Sequence, residues 1–241
     1  MHIAMWSGPR NLSTAMMYAF AAREDCAVVD EPFYAAFLQA SGEVHPMQDA
    51  ILASQPTDPS AVVANMLSPA PEGKAVFYQK QMSHHMLPEF PTDWIKELAN
   101  VFLLRHPARV IASYQQKREE PRLEDIGIKQ QCELFARVQS LTGLAPVVID
   151  SDDILADPEK GLKALCAAIG LAFDPKMLTW QAGGNAADGV WASHWYASVW
   201  SSTGLKPTPI KPLPALPENL EKICQQAMPF YQHLAQYKLV F

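Results

Sequence analysis

The chain has 241 residues, a formal net charge of -6, and 49% hydrophobic against 18% charged residues. That length suits one large domain or two small ones with ample apolar material for a core. The acidic balance speaks against a protein that coats duplex nucleic acid, which needs a basic surface, and no run of about 18 uncharged apolar residues offers a membrane span.

In chain order, the first predicted element is an apolar strand over 2–6. It runs straight into Ser7-Gly8-Pro9-Arg10-Asn11, and a helix rich in Ala and Met follows over 13–23. Further short runs of Val, Ile and Phe predict strands over 26–30, 75–80, 100–104 and 145–150. Asp58-Pro59 reads as an N-cap and first helical residue of a helix to 67. Helices are predicted over 107–117 and 123–141, and Asp157-Pro158 opens another ending near 170. Residues 206–217 hold five prolines, which exclude a regular helix or central strand, and are expected to form an extended strap to a last helix over 218–237. No internal repeat is present. Strands alternating with helices predict a single α/β domain over 1–241: a mainly parallel sheet of about five strands with helices on both faces.

Cys26, Cys132, Cys166 and Cys224 lie far apart without a C-x-x-C pair. They are expected to be reduced, mostly buried thiols, and their spacing does not suit zinc. The opening Met-His-Ile-Ala-Met-Trp has neither the basic leader nor the apolar run of a signal peptide. A cytoplasmic protein is expected.

The N-terminal strand–loop–helix is the most informative stretch. Free N–H groups at a helix N-terminus, with the helix dipole behind them, hold a phosphate well. Arg10 adds charge, and Ser13 and Thr14 add hydroxyl donors. The loop lacks the Gly-Lys-Ser/Thr of a Walker A motif.

Pro9-Arg10-Asn11-Leu12-Ser13-Thr14 resembles the first loop of the sulfotransferases that use 3′-phosphoadenosine 5′-phosphosulfate, although Leu12 stands where that family usually has Gly. A second resemblance is Phe102-Leu-Leu-Arg105-His-Pro-Ala-Arg-Val-Ile-Ala-Ser113, a strand followed by Arg-x-Pro and a helix carrying a serine. A third, weaker one is the strand and acidic turn from Val147 to Pro158. The resemblance implies a P-loop-like fold in which Gly8 to Thr14 hold the 5′ phosphosulfate and Arg105 and Ser113 the 3′ phosphate. It also implies a nucleotide donor, a small-molecule acceptor and no metal. A guanidinium suits phosphate oxygens by its bidentate geometry.

Sulfuryl transfer needs charge at the leaving phosphate, a base for the acceptor, and exclusion of water. Arg10 can neutralise developing charge. Tyr78-Gln-Lys80-Gln-Met-Ser-His84-His85 is expected to bring Lys80, His84 and His85 to the crevice beyond the strand ends. Members of the family carry Lys-x-His there, with Lys near the transferred group and His as base; here the histidines follow four and five residues after Lys80. The candidate bases are His85, then His84, with Glu31 as rival after the second strand. The aromatic stretch Trp191, His194, Trp195, Tyr196, Trp200 is expected to line the acceptor pocket, stack on adenine, or be core. The alternatives are a P-loop-type nucleotide kinase and a nucleotide-binding module without chemistry.

Overall fold

A computed structural model describes residues 1–115 and 121–241. Five strands, β1 (His2–Ser7), β2 (Cys26–Asp30), β3 (Val76–Met82), β4 (Ala99–Leu104) and β5 (Val147–Asp150), form an all-parallel sheet in the order β2-β3-β1-β4-β5. Every residue of β3 is buried, and so are Ile3 to Ser7 of β1. Such continuous burial follows from helices on both faces.

Among the described residues the helices are α1 (Ser13–Ala21), α2 (Tyr34–Ser41), α3 (Gln48–Ser54), α4 (Pro59–Leu67), α5 (Pro107–Gln115), α6 (Ile128–Thr142), α7 (Ser151–Ala156), α8 (Pro158–Ala168), α9 (Ala192–Trp195), α10 (Ala197–Trp200) and α11 (Glu218–Ala235). Alternation along the strands separates two apolar layers. Ile3 and Met5 of β1 join Met16 and Phe20 of α1 and Leu162 and Leu165 of α8. Ala4 and Trp6 join Phe135 of α6 and Leu220 of α11 on the opposite face.

The differences from the predicted elements have local causes. β3 runs on to Met82, so Lys80 lies inside the strand opposite Met5 and Asp30, and His84 and His85 fall in a 3-10 turn, Ser83–His85. The predicted helix over 123–141 is divided. A 3-10 turn, Glu124–Ile126, ends at Gly127 with φ 70, and α6 starts only after it. α1 stops at Ala21, two residues early. Asp157 does cap α8, its side chain accepting from Lys160 N, but α7 precedes it unpredicted, as α2 and α3 were. Positions 116 and 117 of the predicted helix over 107–117 lie outside the described residues. Residues 206–217 contain no helix or strand.

Cys26, Cys166 and Cys224 are buried free thiols and Cys132 is half-buried. Among the described residues no helix is long and apolar enough to cross a membrane. The chain leaves β1 toward β2 on one side and leaves β4 toward β5 on the other. The crevice between the carboxyl ends of β1 and β4 is therefore a topological switch point, where open parallel sheets bind ligands.

Candidate active site

A cleft of 590 Å³ opens at those strand ends. Pro9, Arg10, Asn11, Leu12, Ser13, Thr14, Glu31, Lys80, His84, His85 and Arg105 all reach its wall. Gly8 and Ser113 stand behind it. A Cβ on Gly8 would lie 2.2 Å from the Ile126 carbonyl oxygen, so only glycine lets the loop approach that turn. Leu12 has φ 68 and Arg10 φ 63, both left-handed. That conformation costs a residue with a Cβ roughly 1–2 kcal/mol. Leu12 directly precedes α1, whose first turn has no side-chain cap, so its N–H groups are left for another acceptor.

The loop after β1 and the helix after β4 are tied through Arg10. Its Nε donates to Ser113 Oγ at 2.9 Å, and its carbonyl accepts from Arg105 Nη1 at 2.7 Å. The two phosphate positions read from the sequence as separate are thus bridged by one side chain. Arg105 Nε is buried without a hydrogen-bond partner. Its nearest carboxylate, Asp152, is 3.9 Å away and pairs with Arg109 Nε at 2.6 Å. Burial lowers the pKa of Arg10 and of Arg105, but a guanidinium keeps its charge in a protein.

Lys80 is not free to meet a transferred group. Its ammonium donates to Asp30 Oδ1 at 2.9 Å, Glu31 Oε1 at 2.6 Å and Tyr196 OH at 2.5 Å. A lysine has three donors, and all three are engaged, with the side chain 1% exposed. β3 extends past Lys80, so its ammonium, though at the cleft wall, is held by Asp30, Glu31 and Tyr196.

Glu31 follows β2 with φ 41, a strained conformation of the kind that collects at functional sites. One oxygen is held by Lys80. The other, Oε2, stands 4.0 Å from His85 Nδ1. Burial first, opposed by Lys80, raises the Glu31 pKa. The His85 ring is sandwiched between Tyr34, at 4.4 Å, and Phe37, at 4.9 Å, and its Nδ1 has no hydrogen bond. Burial pushes His84 down to about 3 and His85 well below the usual imidazole value. Both imidazoles are neutral near neutral pH and weakly basic.

Sequence reasoning passed over Asp30 as a site residue and read Tyr196 only as an aromatic surface. Tyr196 OH donates to Asp30 Oδ2 at 2.7 Å and accepts from Trp191 Nε1 at 3.0 Å. Of the aromatic stretch, Trp191 is core, Trp195 and Tyr196 line the cleft, and Trp200 bonds Asp188. Trp180, Lys206 and Thr208 complete the far wall.

An all-parallel sheet with a tight turn between β1 and α1 is the frame of a P-loop-like α/β protein. Within that class the chain belongs to the Sulfotransferase domain family, whose pattern it matches over residues 1–237. Two Arabidopsis thaliana proteins named branched-chain-amino-acid aminotransferase-like, 2 and 1, are 34% and 35% identical to it over 194 residues. The match takes in 80% of this chain, and the chain spans about a third (34%) of the length of those relatives. Among solved structures, the sulfotransferase domain of the Synechococcus PCC 7002 olefin synthase superposes with a TM-score of 0.54 at 16% identity, covering 94% of each chain. A sulfotransferase from Alicyclobacillus acidocaldarius gives 0.54 at 10% identity, covering 98% of this chain and 96% of that one. At these identities the likeness is one of fold.

Proposed function

We propose that this chain transfers a sulfuryl group from 3′-phosphoadenosine 5′-phosphosulfate to a hydroxyl or amine of a small-molecule acceptor. The observation that carries the reading is the meeting of Arg10, Arg105 and Glu31 around one cleft at the strand ends, with Ser113 bonded to Arg10 beside it. Three features fit a nucleotide with phosphates at both its 3′ and 5′ positions. They are the uncapped first turn of α1, the glycine-dependent turn at Gly8, and the buried Nε of Arg105, which makes no hydrogen bond. The bound donor would supply an activated sulfuryl group on its 5′ phosphate.

The rest of the chemistry falls to the chain. The N–H groups of Ser13 and Thr14, with the charge of Arg10, stabilise negative charge gathering on the leaving phosphate. Arg105 and Ser113 hold the 3′ phosphate and fix the donor's register. Glu31 Oε2 accepts the acceptor's proton as the new S–O or S–N bond forms and the bond from sulfur to the phosphate oxygen breaks. Glu31 is preferred to His85 and His84 because burial raises its pKa and so strengthens its carboxylate as a base, whereas burial weakens both imidazoles. Thermal shift with 3′,5′-phosphoadenosine, AMP and ATP tests the binding half. Greater stabilisation by 3′,5′-phosphoadenosine is expected, without need of magnesium. Equal stabilisation by AMP would remove the case for a 3′ phosphate position.

A further inference from the structure

We propose that Tyr196 is a positioning residue for the transfer reaction, its hydroxyl holding Lys80 in the place from which Lys80 fixes the Glu31 carboxylate. The inference rests on the reading of Glu31 as base. It begins from hydrogen-bond capacity. A phenol has one proton and two acceptor sites. Lys80 Nζ at 2.5 Å and Trp191 Nε1 at 3.0 Å take the acceptor sites. The proton is then left for a carboxylate, and Asp30 offers both oxygens, at 2.7 and 2.9 Å, nearer than Glu31 Oε1 at 3.3 Å. Asp30 is itself oriented by Gly189 N on Oδ2. Every group therefore has one satisfied arrangement: Tyr196 and Asp30 hold Lys80, and Lys80 holds Glu31 Oε1, leaving Oε2 outside the cluster, 4.0 Å from His85 Nδ1.

Such a network, buried in low dielectric, couples its members strongly. Glu31 is faced by Lys80 from β3, Asp30 from β2 and Tyr196 from the α9–α10 junction. His85 faces it from the turn after β3 and Tyr34 from α2, with His84 and His45 farther off. Two substitutions perturb Glu31 in opposite directions. Tyr196→Phe removes the hydroxyl that braces Lys80, loosens the hold of Lys80 on Glu31 Oε1, and lets the Glu31 pKa climb further. Asp30→Asn removes the adjacent negative charge, leaves Lys80 chiefly to Glu31, and lowers it. A role confined to packing would not give shifts of opposite sign.

The test is a carboxyl 13C NMR titration of glutamate-labelled protein, with Glu31 assigned by the resonance missing in Glu31→Gln. Binding of 3′,5′-phosphoadenosine verifies that each variant is folded. We expect the Glu31 midpoint to rise in Tyr196→Phe and fall in Asp30→Asn. With an acceptor that the parent protein sulfates, kcat in Tyr196→Phe is expected to fall about 10-fold or more, with nucleotide affinity unchanged. An unchanged or lowered Glu31 midpoint in folded Tyr196→Phe would overturn the proposal, whatever Asp30→Asn does. Failure of the parent to transfer sulfate to any acceptor would count against the proposed function and not against the positioning, which the titration decides by itself.

Discussion

Arg10 and Ser113, 103 positions apart, meet in a 2.9 Å hydrogen bond from guanidinium Nε to hydroxyl Oγ. That bond closes the loop after β1 onto the helix after β4, with Arg105 holding the Arg10 carbonyl from the other side. One arginine thus links both proposed phosphate positions. Arg105→Ala is expected to weaken binding of 3′,5′-phosphoadenosine by about 1.5–3 kcal/mol, the worth of a hydrogen bond to a charged group, while AMP binding changes little. Isothermal titration with both nucleotides checks this. An equal loss for both would assign Arg105 to the 5′ side or to loop structure.

Gly8→Ala tests the turn itself. The new methyl would have to share space with the Ile126 carbonyl oxygen, 2.2 Å away, and backbone yields less readily than a side-chain tip. A stability loss of about 1–3 kcal/mol is expected, as for other overpacked sites, together with weaker nucleotide binding. Thermal denaturation with and without 3′,5′-phosphoadenosine reads both. Undiminished stability and binding would show that the loop and the 124–127 turn move apart freely.

Much of this arrangement was legible in the sequence because it depends on neighbours in the chain. The β1 strand, Gly8 and the start of α1 are contiguous, as are β4, Arg105 and Pro107, and the order of such units determines a parallel sheet. What was not legible depends on distance or on small changes of register. Asp30 and Tyr196 bond across 166 positions, and no spacing rule joins them. Lys80 was read as a strand end because the apolar run stops near it. The strand continues through Gln81 and Met82, since those residues are buried by neighbouring elements. Gly127, inside the helix predicted over 123–141, adopts a left-handed conformation that ends one element and begins the next. α2 and α3 have short apolar faces that local periodicity does not separate from loop.

Acid should destabilise the fold through the buried imidazoles. His84 titrates at about 3 when folded and near 6.5 when unfolded. Between those values the unfolded chain binds more protons, so stability falls as pH drops from about 6.5 toward 3. His85, depressed for the same reason, acts with the same sign. Glu31 acts oppositely: its raised carboxyl keeps a proton that the unfolded chain has released, and its contribution declines as pH rises through that window. His84→Gln should therefore lose less melting temperature than the parent between pH 7 and pH 5. An identical or steeper loss would mean that His84 is not buried as a neutral ring.

The proton-accepting role of Glu31 carries a pH signature of its own. Turnover requires its carboxylate, so kcat should rise with pH along an acidic limb whose midpoint lies above the ordinary carboxylate range, because burial raises the group. In Asp30→Asn the limb should move to lower pH. A limb unmoved by that substitution would assign it to another group.

The most direct measurement is transfer of labelled sulfate from 3′-phosphoadenosine 5′-phosphosulfate to a panel of alcohols, phenols and amines, run with the parent protein, Glu31→Gln, His85→Gln and His84→Gln, alongside 3′,5′-phosphoadenosine affinity for each. The parent is expected to sulfate at least one acceptor. Glu31→Gln is expected to lose about 10²-fold or more in kcat with nucleotide affinity intact, and the histidine variants to lose less, as the base role of Glu31 requires. Tight nucleotide binding with no sulfated product from the parent, or full activity in Glu31→Gln, would contradict sulfuryl transfer with Glu31 as base.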